Sequence, residues 1–199
     1  MQKVYDSIAA VEQDSSAEIV VIKHPQSDSY LYSNLMFAMC FMVAVYTVLM
    51  YIPIEIDSYL IYIFTILSLP LGFAIVHFLK PLKRLMISKK LMNRKVEIYA
   101  RALFQKGRLH LTLDHTGILV YCSDFEKMVM IIADNGVEIS VPKLDMDKIV
   151  DVFNDVYKDD NFEENLCKGL AVMKDILKVY LPAKEPNFNE IPDDLTIVL

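Results

Sequence analysis

The 199-residue sequence predicts an α/β domain interrupted by a two-helix membrane hairpin. Three observations predict it. Two long apolar blocks, residues 35–52 and 59–79, contain no Lys, Arg, Asp or Glu. Several shorter apolar runs are β-branched, as half-buried or buried strands are. Elsewhere apolar residues recur at three- and four-residue intervals among polar ones, the mark of amphipathic helices.

Taken in order, residues 1–15 place Val4, Ile8 and Val11 on one helical face. The stretch AEIVVIK follows and stops before Pro25, where extended backbone is favoured, so it reads as a strand. A polar segment, HPQSDSYLYSN, leads into the first apolar block. About 20 apolar residues cross the hydrocarbon layer as a helix, and a charge at the centre costs about 2.5–3.5 kcal/mol. Both blocks meet that requirement and are apolar all round, whereas core helices of soluble proteins usually keep a polar stripe. More than thirty residues precede the first block, which argues against a cleaved signal peptide.

Charge orients the pair. The loop YIPIEIDSYL between the blocks holds Glu55 and Asp57 and no base, whereas Lys80, Lys83, Arg84, Lys89, Lys90, Arg94 and Lys95 follow the second block. Basic flanks stay in the cytoplasm. Both termini are therefore expected on the cytoplasmic side, with the acidic loop as the external turn. Pro70 and Gly72 predict a kink within residues 68–72, read as a packing kink. A transporter role needs polar residues inside the spans, where Thr47, Thr65, Ser68 and His77 are the candidates.

Leu85, Met92, Val96, Tyr99 and Leu103 mark one face of a long helix over residues 84–106, ended by Gly107. GILVYC, MVMIIA and EISV then read as a three-strand meander, with Asn-Gly at 135–136 as a hairpin turn. Two amphipathic helices follow. The first turns Met146, Ile149, Val150, Phe153 and Tyr157 inward, with Asp145 as its cap. The second turns Phe162, Leu166, Leu170, Met173, Leu177 and Leu181 inward, with Asn161 and Glu164 as a capping box. The tail from residue 182 holds three prolines and is expected to be mobile.

A single strand ahead of the blocks cannot be stable alone, so it is expected to rejoin the later sheet. The organisation is then 1–34 as the first part of a cytoplasmic domain, 35–79 as the transmembrane hairpin, 80–181 as the rest of that domain, and 182–199 as the tail.

Composition excludes several classes. A net charge of −6 and no basic stripe interleaved with aromatics disfavour nucleic acid. The five glycines form no phosphate-binding loop or nucleophile elbow, which disfavours nucleotides and serine catalysis. Cys40, Cys122 and Cys167 are scattered, with no disulfide framework or zinc spacing, and read as small buried apolar residues.

The segments SAEIVVIKHPQSDSY, HTGILVYCSDFEKMVMIIADNGVEISVP and NFEENLCKGLAVMKDIL, the last leading to NEIPDD, resemble the TPM domain. That domain is shared by thylakoid lumen phosphatase-like and photosystem repair proteins, and the likeness is greater to its bacterial integral-membrane branch. The resemblance implies a TPM-like α/β/α sandwich with a short sheet, in the bacterial inner (plasma) membrane. It also implies that acidic residues near the strand starting at Gly117 could bind calcium, and that acid-phosphatase activity occurs in some members.

From the residues themselves, His110, Asp114 and His115 could ligate a transition metal, with Asp124 and Asp134 completing an acidic rim, whereas calcium is the cation that the resemblance implies. The alternative is that they are solvated loop residues. Lys80, Lys83, Arg84, Lys89 and Lys90 could hold anionic lipid headgroups, or could only set topology. The acidic residues of the last two helices, Asp145, Asp147, Asp151, Asp155, Asp159, Asp160, Glu163 and Glu164, form a solvated face or a docking surface. No catalytic residue and no cofactor are singled out. The expected function is a membrane-anchored binding or assembly module whose partners are the bilayer and another protein. The alternative is a metal-dependent phosphatase, which requires Asp114 and Asp124 to converge on one ion.

Overall fold

Three strands, β1 (Glu18–His24), β2 (Gly117–Ser123) and β3 (Met128–Ala133), form one sheet in the order β1-β2-β3. The structure, a computed structural model, describes residues 2–159 and 161–183. The expected tail beyond Ala183, and Asp160 of the acidic face, lie outside the described residues. The chain divides into two compact units, Met1–Ser27 with Asn93–Leu199, and Asp28–Met92.

In the first unit β1 rejoins the sheet as expected, pairing in parallel with β2 from Glu18 opposite Gly117 to His24 opposite Ser123. β2 and β3 form an antiparallel hairpin with Ile118 opposite Ala133. Side chains alternate between two faces. Ile19, Val21, Ile118, Val120 and Cys122 face a layer built from α1 (Gln2–Asp14), α7 (Lys143–Asn154) and α8 (Phe162–Tyr180). Val20, Ile22, Leu119 and Tyr121 face Val96, Ala100, Leu103 and Phe104 of α5 (Lys89–Lys106), together with Leu109. The fold is thus a mixed α/β fold with helices on both faces of a short sheet. Each fully buried Leu, Ile, Val or Phe contributes about 1.5–3 kcal/mol.

The helical faces read from the sequence lie largely where the core is. Val4, Ile8 and Val11 are buried, as are Ile149 and Phe153, and Leu166, Leu170, Met173 and Leu177. Val150, expected on the inner face of α7, is 39% exposed.

Four expectations are corrected. The segment after the Asn-Gly pair is not a strand: Asn135–Ser140 is a short helix, α6, whose N-cap Asp134 accepts the Asn135 N–H at 2.8 Å. The glycine there serves close approach, because a Cβ on Gly136 would lie 2.3 Å from the Asp114 carbonyl oxygen. The long helix over 84–106 is broken. α4 (Lys80–Met86) ends at Ile87, whose ψ of 127° is extended, and the Ser88 Oγ accepts the Leu91 N–H at the start of α5. Leu85 is therefore 84% exposed rather than on an inner face. Asp145 does not cap α7; Pro142 holds that position and Asp145 sits in the first turn, bonded to Lys148 and Tyr180. Asn161 is the N-cap of α8, without a side-chain cap hydrogen bond.

The second unit holds α2 (Leu31–Tyr51) and α3 (Ser58–Phe78), which pack along each other. Both are long and apolar enough to cross a membrane. Their seam is built from small or short side chains: Asn34 and Ala38 of α2, and Ser68, Gly72 and Val76 of α3, are buried. A Cβ on Gly72 would meet Phe41 at 2.9 Å and the Ala38 Cα at 3.2 Å, so glycine sets how closely the helices approach. Asp57 starts α3 by accepting the Tyr59 N–H at 2.9 Å. Only 11% and 17% of the most apolar stretches are buried, and Val48, Tyr62, Ile66, Leu67 and Leu71 are all exposed. The core helix of a soluble protein shows the opposite pattern.

Candidate functional site

The polar residues singled out in the sequence gather at the two ends of β2 rather than at one place. At its start, the loop 112–116 turns sharply, with His115 at a left-handed φ of 55°. That turn sends the His115 Nδ1 to the Asp134 Oδ2 at 3.1 Å. The other Asp134 oxygen takes the Asn135 N–H, and the Asp134 N–H donates to the Gly117 carbonyl at 2.9 Å. Asp134 is only 8% exposed and serves as the joint between β3, α6 and this loop. Asp114 lies on the same loop and lines a cleft of about 300 Å³ with Ser16, Thr116, Ser140 and Tyr180.

Asp124 lies at the other end, after the seven residues of β2, which span roughly 20 Å. Its Oδ1 is 3.4 Å from the Lys23 Nζ and accepts the Tyr157 hydroxyl at 3.0 Å. Lys23 also lies over the Phe162 ring, 4.3 Å from its centroid, and Lys127 lies over Tyr157. Burial raises the Tyr157 pKa, and the neighbouring Cys122 and Asp124 push it the same way. The phenol therefore remains a hydrogen-bond donor to Asp124 at any ordinary pH.

Asp114 and Asp124 do not converge, which corrects the single acidic rim drawn from the sequence. Calcium takes 6–8 oxygen ligands at 2.3–2.6 Å. Asp134 has both carboxylate oxygens engaged and Asp124 faces a lysine, so the residues present do not build such a cage. Among the described residues no group of three or more His, Cys, Asp and Glu is placed to hold a metal ion. His110 lines a groove with Phe104, Gln105, Ile132 and Asp134.

Sequence reasoning missed a buried polar network beside Asp124. The fully buried Glu126 accepts the Ser27 N–H at 3.0 Å through Oε1, and the Ser123 hydroxyl donates to Oε2. Ser27 Oγ and the Tyr121 hydroxyl are 3.0 Å apart. Burial pushes the Tyr121 pKa up to about 12, although its hydrogen bonds with Ser27 and Ser123 act the other way. Backbone bonds from Asp124 to the His24 carbonyl and from Phe125 to the Pro25 carbonyl, both 3.0 Å, prolong the β1-β2 pairing past the strand ends. The His24 and Tyr99 rings meet at a tilt of 35°, with centroids 5.1 Å apart, beside this segment. The network therefore fixes the last residues of the α/β unit ahead of the second unit. The only sequence signal was an acid within the turn SDFEK, which reads equally well as a solvated loop.

Of the basic residues, Lys83 is corrected. It is 6% exposed, its Nζ donates to the Ser29 carbonyl at 2.7 Å, and it lies 5.7 Å from the Tyr30 ring centroid. It closes the base of the helical pair instead of meeting a headgroup. Lys80, Arg84, Lys89 and Lys90 are exposed.

These features define a mixed α/β protein carrying two helices apolar enough for a bilayer. No protein-family model and no curated protein matches the chain. Among solved structures it is similar to the NMR structure of the BA42 protein from the psychrophilic bacterium Bizionia argentinensis. The match has a TM-score of 0.57 and 18% identity, and covers 96% of this chain and 88% of that one. At that identity the likeness is one of fold.

Proposed function

We propose that the chain is a two-span inner-membrane protein whose TPM-like α/β unit lies in the cytoplasm and acts as a binding or assembly module without catalysis of its own. The single observation that carries this reading is the outward face of α2 and α3, apolar and exposed along two 21-residue helices. In water such a surface would far exceed the few hundred Å² that soluble monomers expose in one patch. In lipid it is the required surface. The basic residues after α3 and the acidic loop before it support cytoplasmic termini. Exposed Lys80, Lys89 and Lys90 are available to anionic headgroups, each worth about 1 kcal/mol near such a surface. The helices on both faces of a short sheet are compatible with the TPM resemblance. A metal-dependent phosphatase is less well supported, because its two key carboxylates, Asp114 and Asp124, sit at opposite ends of β2.

Topology tests the reading. In a cysteine-free background, a Glu55→Cys variant is expected to react with an impermeant maleimide in spheroplasts, and an Asp159→Cys variant only after permeabilisation. Labelling in the reverse pattern would overturn the orientation. Labelling of both positions in the soluble fraction would overturn membrane residence.

A further inference from the structure

Charge and apolarity are reversed on α4 relative to a helix that faces water. Lys83 is buried at 6% exposure, whereas Leu85 is 84% exposed. A side chain two residues on points about 200° round the helix, so Lys83 and Leu85 occupy opposite sides. The inward side is held by the Lys83 Nζ, which donates to the Ser29 carbonyl, and by the packing of α4 against α2 and α3. Turning Leu85 inward would break that bond. Met86 is exposed beside Leu85, and Phe78 and Leu79 are exposed where α3 runs into α4. The apolar surface of α3 thus extends past its end, onto α4.

Basic side chains border this patch. Lys80 opens α4, and Lys89 and Lys90 open α5, all three exposed. Among the described residues no carboxylate forms an ion pair with any of them. An apolar patch bordered by unneutralised lysines matches the boundary of an anionic leaflet, where acyl chains meet phosphate headgroups. We propose that α4 lies in the cytoplasmic interface of the bilayer, with Leu85 and Met86 among the acyl chains and with Lys80, Lys89 and Lys90 on the phosphates of anionic lipids. This inference rests on the membrane reading above.

The helix has only seven residues and needs no more, because α3 delivers it to the lipid surface and each further contact is then made within one molecule. Lysine stems can lie along the apolar patch while their ammonium groups reach the phosphates. The break at Ile87 ends α4 just after Met86, so the next helix opens on Lys89 and Lys90 instead of prolonging an apolar face. Lipid is favoured over a protein partner as the occupant, because the patch adjoins the apolar outer surface of α3 and its border is basic.

Spin labels test this in the full chain, reconstituted into liposomes of equal parts phosphatidylcholine and phosphatidylglycerol. In a cysteine-free background, labels at Leu85→Cys, Ile66→Cys and Asp159→Cys are compared by collision with oxygen and with a water-soluble nickel complex. The oxygen-to-nickel ratio at residue 85 is expected to fall between the high value at 66 and the low value at 159. A ratio at 85 as low as at 159, with 66 still high, would overturn the proposal and leave the membrane reading standing. Low ratios at both 66 and 85 would overturn the membrane reading, and this inference with it. Little collision with either relaxer at 85 would assign Leu85 to a protein contact and also overturn the proposal. For the headgroups, spin-labelled phosphatidylglycerol is expected to associate with the full chain at least about fivefold more strongly than spin-labelled phosphatidylcholine, which is what one lysine at the surface supplies. The preference should be lost in a Lys80→Gln, Lys89→Gln, Lys90→Gln variant whose thermal midpoint in detergent matches the parent's. Equal association of the two lipids with the parent, or a preference that survives the three substitutions, would overturn the proposal.

Discussion

The two units place the same kinds of side chain in opposite ways. In the α/β unit the large aliphatics are inside, with Ile118, Leu119 and Val120 at 0–1% exposure. In the helical pair the large aliphatics are outside, with Ile66 and Leu71 above 50%, while Ala38, Ser68 and Gly72 fill the seam. Water solvating both units would make the second one unstable. The difference is the one that two solvents along one chain would require: alternation and helical spacing where water is excluded by folding, and uniform apolarity where lipid would be the surroundings.

The strongest challenge to that contrast is Ile66→Asp, at a 53% exposed position near the middle of α3. An exposed site in water tolerates such a change within about 0.5 kcal/mol. Facing lipid, it should cost about 2.5–3.5 kcal/mol of insertion free energy. A glycosylation-based insertion assay of the α3 segment reads that loss directly.

Next in size come the seams. Gly72→Leu drives a side chain into Phe41 and the Ala38 backbone, and should cost about 1–3 kcal/mol, seen as a lower thermal midpoint in detergent. Gly169 seats the Phe153 ring in the α/β unit, where the three atoms nearest an added Cβ, the first at 2.9 Å, all belong to that ring. Gly169→Leu should therefore lower the midpoint less than Gly72→Leu if ring movement relieves it. The reverse order would show that the helical seam is the more adaptable of the two.

The Glu126 network sharpens the comparison from the other side, since it is polar yet fully buried. Glu126→Leu leaves the Ser27 N–H and the Ser123 hydroxyl without their acceptor and should cost about 1–3 kcal/mol. Faster amide exchange at Ser27 than in the parent chain is the expected readout.

The smallest effect is a pH slope. Burial pushes the Cys122 thiol up to about 12, from about 9. The folded state then holds its proton where the unfolded state releases it. Stability from this group is complete below about pH 9 and falls as pH rises toward 12, by up to about 1.4 kcal/mol per pH unit. Cys122→Ala should flatten that slope in chemical denaturation between pH 8 and 10.

Much of this arrangement was legible because periodicity is a physical consequence of burial. Val4, Ile8 and Val11 could be placed on a core face before any coordinates, as could Leu166, Leu170, Met173 and Leu177. The return of β1 to the sheet followed from the instability of a lone strand, but its parallel direction did not. What failed were local signals with two meanings. Asn-Gly serves a hairpin through positive φ, but at 135–136 no glycine has positive φ, and Gly136 is there because the Asp114 carbonyl lies against it. Ser88 was an N-cap signal inside an apparently continuous helical pattern, and the cap prevailed. Lys83 looked like one more basic flank, because nothing in a one-dimensional pattern marks the Ser29 carbonyl that receives it. Asp114 and Asp124 were grouped for a related reason: they are ten positions apart in sequence, but a strand of seven residues lies between them.

The central claim is that lipid surrounds α2 and α3, and a spin label at residue 66 of the full chain in liposomes tests it most directly. Collision with oxygen exceeding collision with a water-soluble nickel relaxer is the predicted result. A label relaxed more strongly by the nickel complex would place that face in water and contradict the account.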